Sequence, residues 1–310
     1  MIPTIFGTTK TLTIYDLPSD IFNEVLDKLE PIERLPLRKV SQIFRTAIDN
    51  RNHGFKEIAI GIYDSFERYS TLRLDEKLIE YRRDYDDCMV KLGSRKCTVL
   101  NENFETLALK DFFEILKQKT KLELVQINLN VNVTKKDFRT KCFTNLLSTL
   151  ETLKPVKAKC VIFELHPSEV AMVLPCFGEL ELIEIFSTQA RYKLDELIYL
   201  EQWKMAKRFK GVSYCDAFSI PVESLLHFEH FDIHLSTFTV EDCLKMRNGL
   251  KKSGNFKSGR FRCQKLNRTE IAKVFKPDYA GEPSLEYEVN NEMFIIDISY
   301  GSLNIKKNNF

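Results

Sequence analysis

Residues 17–49 have the sequence LPSDIFNEVLDKLEPIERLPLRKVSQIFRTAID, in which two apolar helical patterns follow each other. The first pattern opens at Leu17-Pro18, and its apolar positions are Ile21, Phe22, Val25, Leu26 and Leu29. Spacing by three and four residues predicts a broad apolar stripe on one helix face. Pro18 suits a first helical turn, because the N–H that proline lacks would have no partner there.

Two further prolines predict where the helices end and begin. Pro31 is expected to end the first helix, and Pro36 to begin the second after a turn over residues 32–35. The second stripe is Leu37, Val40, Ser41, Phe44 and Ile48. Two or three short helices this apolar cannot bury both stripes against each other and remain a stable unit. The surplus apolar surface therefore predicts a protein partner.

This segment resembles an F-box. The resemblance is carried by Leu17-Pro18, the Ile21/Val25/Leu29 spacing, Pro31, Arg34-Leu35, the block from Leu37 to Ser41, and Phe44-Arg45. Two positions depart from the family pattern: Pro36 replaces a Ser or helix former, and Phe44 replaces a frequent Trp. The resemblance implies that the helices dock on a Skp-type adaptor, which connects them to a cullin-based ubiquitin ligase. The residues expected to contact the adaptor, or to hold the contact helices in place, are Leu17, Pro18, Ile21, Val25, Leu26, Leu29, Leu35, Leu37, Val40 and Phe44.

Composition and charge indicate an ordinary globular protein. The chain has 310 residues, of which 44% are hydrophobic and 29% are charged, and its formal net charge is +2. A charge so nearly balanced gives no electrostatic case for nucleic acid or an anionic membrane. No apolar run is long enough to cross a bilayer, and the first twenty residues lack a signal-peptide pattern. We therefore expect an intracellular protein, cytoplasmic and/or nuclear.

The cysteines do not form a recognisable metal or disulfide framework. They are Cys88, Cys97, Cys142, Cys160, Cys176, Cys215, Cys243 and Cys263, with no CxxC pair. Structural zinc sites usually bring close pairs, and disulfide scaffolds are shorter and denser in cysteine. We expect buried, reduced thiols, no metal and no cofactor.

Residues 101–310 alternate between strand and helix patterns, which favours parallel strands joined by helical crossovers. A long helix is predicted over residues 193–209, and a closing hairpin is predicted with its turn at Asn290-Asn291. Neither GxGxxG nor GxxxxGK[ST] occurs, which weighs against a nucleotide-binding sheet. The predicted fold class is α/β: a helical F-box, a small β-rich connecting segment, and a curved strand–helix solenoid like a degenerate leucine-rich-repeat horseshoe. The predicted divisions are a tail (1-15), the F-box (16-50), a β-rich connecting and capping segment (51-100) and an α/β substrate-binding domain (101-310).

A second resemblance lies in the C-terminal part. Residues 200–209, LEQWKMAKRF, and residues 225–259 resemble the FTH domain of nematode F-box proteins. The neighbourhood of Tyr81-Arg82 and Cys88-Met89-Val90 resembles the region that links the F-box to the FTH domain in that family. The resemblance implies that the FTH-like region is the module that binds a substrate or partner. It does not identify the target.

Three histidines invite a metal-site interpretation. His227, His230 and His234 would share one helix face, but Phe231, Ile233 and Leu235 alternate with polar residues in the period of a strand. A polar row on the open face of a strand is therefore favoured over zinc. Polar residues of this kind are predicted to form a target-binding surface, with plain solvation as the competing interpretation. They are Gln126, Asn128, Asn130, His230, Asp232, His234, Arg260 and Arg262.

The predicted function is that of a substrate-recognition subunit of a Skp–cullin–F-box ubiquitin ligase. The alternative is an adaptor-bound interaction module that does not promote degradation. An enzyme is disfavoured because the sequence has no GxSxG or HExxH motif and no cysteine in a recognisable protease context. The lone Trp203 is interpreted as a large core residue rather than a binding anchor.

Overall fold

The computed structural model describes residue 14 and residues 17–38, 40–51, 54–64, 68–117, 121–131, 136–187, 192–213 and 218–308. The chain divides into two compact units, residues 1–55 and residues 56–310. Apart from Ile14, the predicted tail (1-15) lies outside the described residues, and so does Cys215.

The first unit contains three short helices packed on a small core. They are α1 (Ser19–Lys28), α2 (Pro31–Arg38) and α3 (Gln42–Asp49). The rings of Phe22 and Phe44 lie 5.2 Å apart, and Leu26 and Ile48 complete the buried cluster. One part of the predicted apolar stripe of α1 therefore packs against α3.

The two prolines do not mark the boundaries that the sequence predicts. Pro31 begins α2 rather than ending α1, and Pro36 lies inside α2. Because α2 has only eight residues, Pro36 removes a single helical hydrogen bond from it. The predicted second helix is instead divided near Ser41, whose Oγ accepts a hydrogen bond from the Phe44 N–H at 3.3 Å and caps α3.

The second unit is built on one continuous sheet. Within the described residues its strands are β1 (Glu57–Asp64), β2 (Arg68–Leu74), β3 (Lys77–Asp84), β4 (Asp87–Leu92), β5 (Arg95–Val99), β6 (Leu122–Val131), β7 (Ala158–Glu164), β8 (Leu182–Ser187), β9 (Arg208–Ser213), β10 (His230–His234), β11 (Ser258–Arg262), β12 (Ser284–Val289), β13 (Glu292–Ser299) and β14 (Ser302–Lys307). Their order across the sheet is β12-β13-β14-β11-β10-β9-β8-β7-β6-β1-β2-β3-β4-β5. The six described helices of this unit are α4 (Phe104–Leu116), α5 (Lys136–Leu153), α6 (Pro167–Val173), α7 (Glu201–Met205), α8 (Val240–Leu250) and α9 (Arg268–Phe275).

The centre of the sheet is parallel and its two ends are antiparallel. Strand β1 and strands β6 to β11 run parallel to one another. The hairpins β1 to β5 continue the sheet on one side, and β12 to β14 continue it on the other. Since successive parallel strands advance in one direction, right-handed crossovers place their connections on one face.

Burial alternates along the parallel strands, as this arrangement requires. One parity is buried, and its register row runs through Ile127, Phe163, Ile185, Gly211, Ile233 and Phe261. The other parity is mostly half-buried or exposed and forms what we call the open face. Its middle row runs through Gln126, Ile162, Glu184, Lys210, Asp232, Arg260 and Asn304.

The predicted order of N-terminal helices followed along the chain by a mixed α/β region is confirmed. The closing hairpin is also confirmed, because Asn290 and Asn291 have positive φ between β12 and β13. Strands β5 and β14 and helix α9 were not predicted. The leucine-rich-repeat-like curvature stays a prediction.

The long helix predicted over residues 193–209 is wrong. The segment contains one 3-10 turn (Leu197–Tyr199), the five-residue helix α7, and the start of β9. Leu194 before the turn, Leu197 at its start and Trp203 in α7 are all buried, so each of these short pieces is anchored in the core by its own apolar side chain. Trp203 lies in the core, with its ring centroid 4.6 Å from that of Phe209, so its interpretation as a core residue is confirmed.

Candidate protein-binding surfaces

Helix α1 carries a second apolar stripe that its own core does not cover. Leu17, Ile21 and Val25 recur every four residues and are 40%, 43% and 40% exposed. The neighbouring positions Phe22 and Leu26 point into the three-helix core. A contiguous apolar stripe beside a complete core is the arrangement expected of a protein-docking surface.

Two further apolar side chains are exposed near the start of α3. Val40 is 63% exposed and Ile43 is 57% exposed. Sequence reasoning missed Ile43, because position 43 lies off the stripe that contains Leu37, Val40 and Phe44. The sequence feature that indicates Ile43 is an apolar residue at an α3 position that lies outside the buried core.

Arginine side chains hold the docking helices in place. Arg34 donates to the carbonyl of Leu26 at 3.0 Å and to that of Asp27 at 3.3 Å, which satisfies carbonyls at the C-terminus of α1. Arg51 donates to the Asp27 carboxylate at 2.9 Å and to the Asn23 Oδ1 at 2.6 Å. These bonds tie α1 to α2 and to the segment just after α3, in which Arg51 lies.

The ten predicted adaptor residues fall into three groups. The exposed ones are Leu17, Pro18, Ile21, Val25 and Val40. The half-buried ones are Leu29, Leu35 and Leu37. Leu26 and Phe44 are buried in the three-helix core, where they can only support the contact helices. Adaptor contact by any of the ten stays a prediction.

The open face of the sheet carries a ladder of polar contacts between strands. On its middle row, Lys210 on β9 donates to Glu184 on β8 at 2.5 Å. Arg260 on β11 donates to the Asn304 side chain on β14 at 2.6 Å. Arg73 reaches across the small Ala59 to Gln126, to which it donates at 3.1 Å. Side chains on neighbouring strands thus satisfy much of each other's hydrogen-bonding capacity.

Asp232 is the anionic centre of the ladder. Arg262 donates to it with Nε at 3.0 Å and Nη2 at 2.6 Å, which is bidentate geometry. Arg260 places Nη1 at 3.9 Å from the same carboxylate. One carboxylate therefore lies between two guanidinium groups, and the local charge is positive.

Asn128 is buried rather than exposed on the open face. It is 7% exposed and its Nδ2 donates to Glu164 on β7 at 2.5 Å. Its register partner on β1 is Gly61, where an added Cβ would lie 2.6 Å from the Tyr63 ring. Because Tyr63 folds over Gly61, this part of the face is partly closed. Burial raises the pKa of the neighbouring Glu164.

The three histidines do not converge. His230 and His234 lie on β10 as the alternation predicts, with Nδ1 2.8 Å from the Ser258 Oγ and 3.1 Å from the Ser213 carbonyl oxygen respectively. His227 precedes the strand, and its two ring nitrogens lie 2.9 Å from the carbonyl oxygens of Ser224 and Trp203. Among the described residues, no group of three or more His, Cys, Asp or Glu could hold a metal ion.

The eight residues of the predicted target surface divide into two groups. Gln126, Asn128 and Asn130 lie on β6, and the other five lie on β10 and β11. Strands β7, β8 and β9 separate the groups, a distance of about 19 Å at about 4.8 Å per strand. Further open-face residues lie between and beside them and are not among the eight predicted ones, chiefly Glu164, Glu184, Arg208, Lys210, Asn304 and Lys306. The sequence indicates these residues only through the alternation of apolar and polar positions along each strand. That the face binds a target stays a prediction.

The cysteines are free thiols throughout the part of the chain that the structure describes. Cys88, Cys142, Cys176, Cys243 and Cys263 are buried as expected. Burial raises the pKa of Cys88 to about 11 and that of Cys142 to about 12. Cys97 on β5 is exposed and Cys160 on β7 is half-buried, contrary to the expectation of buried thiols. None of the described helices combines the length and the apolar character needed to cross a membrane.

Comparison with known proteins agrees with both resemblances. The F-box domain matches residues 14–56, and the FTH domain matches residues 140–278. The chain is 26% identical to F-box A protein 224 of Caenorhabditis elegans over 313 residues, which cover 96% of this chain and 79% of that protein. No solved structure matches the chain. The chain therefore contains an F-box domain followed by an FTH domain, and over most of its length it is similar to F-box A protein 224 of Caenorhabditis elegans.

Proposed function

We propose that this chain is the substrate-recognition subunit of a Skp–cullin–F-box ubiquitin ligase. F-box domains in general bind a Skp-type adaptor and, through it, a cullin. The observation that carries the proposal is that the F-box match spans the exposed stripe of Leu17, Ile21 and Val25. An apolar surface left uncovered by its own core needs a partner.

The adaptor interface proposed here uses the exposed apolar residues of the F-box as its contact layer. Leu17, Ile21 and Val25 contribute to this layer from α1 and the residues just before it. Val40 and Ile43 contribute to it from near the start of α3. Permanent hetero-complexes typically bury about 2,000 Å² or more in total and are strongly apolar. The buried residues Leu26 and Phe44 hold the helices in the relative orientation that adaptor binding requires.

The target interface proposed here is the open face of the sheet. This assignment keeps the predicted division into a tail (1-15), an F-box (16-50), a β-rich connecting segment (51-100) and a target-binding domain (101-310). Seven parallel strands in one sheet favour the predicted leucine-rich-repeat-like curvature, in which the open face would be concave. Polar and charged side chains on that face supply specificity, since unmatched partners leave them desolvated and unpaired.

The mechanism is one of proximity. The F-box holds the ligase and the open face holds the target, so target lysines meet the ubiquitin-loaded conjugating enzyme at a high effective concentration. Proteins of the F-box and FTH families are typically non-catalytic adaptors, and we assign no catalytic residue to this chain. Such a role places the protein inside the cell, in the cytoplasm and/or the nucleus.

The proposal is tested by reconstituting the ligase around this chain. Proteins captured from nematode extract by the purified chain are supplied with adaptor, cullin, activating enzyme and conjugating enzyme. We expect ubiquitin transfer that requires both the cullin and the adaptor. The Ile21→Asp/Val25→Asp variant should capture the same proteins without transferring ubiquitin to them.

The matched control is Ser19→Asp, which adds a carboxylate to the same helix at an exposed position on the side away from Ile21 and Val25. This control should retain ubiquitin transfer. If the intact chain binds adaptor and captured proteins but transfers no ubiquitin, the alternative of a module that does not promote degradation replaces the proposal.

A further inference from the structure

Strand register collects basic side chains that are far apart in the sequence onto one part of the open face. The row nearest the N-terminal ends of β9 to β11 runs through Arg208, His230, Ser258 and Lys306. Arg208 and Lys306 are exposed at its two ends. Within the described residues, neither side chain makes an ion pair.

The neighbouring rows add three more cations. Lys210, Arg260 and Arg262 project from the same face, with side chains 43%, 51% and 42% exposed. Only Glu184 and Asp232 oppose these cations within the four strands and their β8 neighbour. We call the group of Arg208, Lys210, Arg260, Arg262 and Lys306 the basic patch. It carries five positive charges against two negative ones.

The layout of the basic patch suits a string of separate carboxylates. Strands β9, β10, β11 and β14 are consecutive, so Arg208 and Lys306 lie about 14 Å apart across the sheet. A single phosphate needs several donors that converge on one point. The forked guanidinium of Arg262 is already engaged by Asp232, and Arg260 donates to Asn304. The remaining positive charge is therefore spread out rather than focused.

Negative side chains limit the patch on both sides. Glu184 on β8 precedes it, and Asp297 on β13 is the register partner of Asn304 beyond it. An anionic ligand that continued past either strand would meet like charge. A chain that rises about 3.3 Å per residue crosses 14 Å with four or five residues, which sets the length of the ligand.

We propose that the basic patch binds a short, extended, Asp- and Glu-rich segment of the target protein. The proposal rests on the proposed function in one respect, since it takes the open face as the target-binding surface. The acidic segment lies across β9, β10, β11 and β14, with its carboxylates alternating between Arg208, Arg260 and Lys306. Charge complementarity makes this interaction sensitive to salt.

The test measures fluorescence anisotropy of labelled peptides with the full-length chain, purified with its adaptor if it requires one. The probe peptide is a twelve-residue segment with five central glutamates, and its partner carries glutamine at the same positions. We expect the glutamate peptide to bind about tenfold tighter at low salt, and the difference to shrink at about 1 M salt. Equal binding of the two peptides would overturn the proposal.

Two sets of variants assign the binding to the patch. Arg208→Gln/Lys306→Gln should weaken binding of the glutamate peptide about tenfold, because each removes a charge that no internal partner holds. Asp232→Asn removes the anion that competes for Arg260 and Arg262, so it should tighten binding. A gain of affinity cannot come from misfolding. Lys204→Gln/Lys245→Gln, at exposed lysines on α7 and α8, is the matched control and should leave binding unchanged.

Two other outcomes are informative. A peptide with one phosphoserine and no glutamates that binds more tightly than the glutamate peptide would overturn the proposal in favour of a phosphate reader. Adaptor binding, measured separately on the Arg208→Gln/Lys306→Gln variant, should be intact. Loss of peptide binding with retained adaptor binding therefore concerns the patch, whereas a wild-type chain that binds peptide but no adaptor contradicts the ligase function alone.

Discussion

Arg262 on β11 donates two hydrogen bonds to Asp232 on the neighbouring parallel strand β10, although the two residues are not register partners. The register partner of Asp232 is Arg260, whose guanidinium lies 3.9 Å away and bonds Asn304 instead. Within the described residues, the diagonal reach of Arg262 thus leaves Arg260 with an amide rather than a carboxylate as its hydrogen-bond partner. The Asp232 carboxylate therefore offsets the charge of Arg262 more closely than that of Arg260.

The Asp232 pair should contribute little to stability. Its side chains are 27% and 42% exposed, so solvent screens their attraction. We expect Asp232→Asn to lower the free energy of unfolding by about 0.5 to 1 kcal/mol. Urea unfolding followed by Trp203 fluorescence measures the change. Lys273→Gln, which removes one member of an exposed pair on α9, is the control and should be neutral. A loss above about 3 kcal/mol would mean that Asp232 is a structural rather than a surface residue.

Gly259 is required by the core beneath β11. An added Cβ would lie 2.5 Å and 2.7 Å from two atoms of the Phe231 ring, its register partner, and that ring is 4% exposed. Because the ring is packed against Phe261 at 4.9 Å, it cannot turn aside freely. We expect Gly259→Ala to cost about 1 to 3 kcal/mol of unfolding free energy.

Gly254 provides the control for this substitution. An added Cβ there meets nothing within 4 Å, so Gly254→Ala should leave stability nearly unchanged. The double variant Phe231→Leu/Gly259→Ala should lose less than the sum of the two single losses, because the smaller side chain gives room for the methyl group. Additive losses would contradict the contact.

Glu105 in the first turn of α4 should make stability depend on pH. It is 1% exposed, burial raises its pKa, and its Oε1 lies 3.9 Å from the Lys141 Nζ. A raised folded-state pKa means that the folded protein prefers the protonated acid. Stability therefore falls as pH rises from below the ordinary pKa of 4.5 through the folded-state pKa.

Replacing Glu105 with glutamine removes this dependence. Glu105→Gln should raise the free energy of unfolding at pH 7 by about 1 kcal/mol, because no buried charge remains. The advantage should vanish below about pH 4, where the glutamate is protonated in both states. Glu270→Gln, at an exposed first-turn glutamate of α9, is the matched control and should give no gain. An advantage of the Glu105 variant that persists at pH 3 would contradict the stated cause.

The sequence was most informative where local rules and burial agree. The alternation of Val125, Ile127 and Leu129 with polar residues predicts β6. The paired asparagines at 290 and 291 predict a hairpin turn, because asparagine tolerates the positive φ that both residues adopt. Strand polarity also predicted that His230 and His234 share the open face. These features depend on a few neighbouring residues, so one sequence suffices to find them.

The failures come from tertiary context. The sequence predicts that Pro36 begins a helix, yet Pro36 lies within α2. The helix boundary is instead at Ser41, which caps α3 three residues after α2 ends. Position within the sheet was also beyond the sequence: Arg208 and Lys306 are nearly a hundred residues apart, and only the insertion of β14 beside β11 brings them onto one row. Ile43 was missed because exposure of an apolar residue depends on which helix face the core occupies.

The proposed binding of a Skp-type adaptor to the exposed stripe of Leu17, Ile21 and Val25 is tested most directly by measuring that binding. Isothermal titration of the adaptor is compared for the intact chain, Ile21→Asp/Val25→Asp, and the control Ser19→Asp. Limited proteolysis within residues 1–55 reports the fold of the F-box, and Trp203 fluorescence reports that of the second unit. We predict binding by the intact chain and the control, and a loss of at least about a hundredfold for the double variant in a folded protein. Equal adaptor binding by the folded double variant, or none by the folded intact chain, would contradict the account.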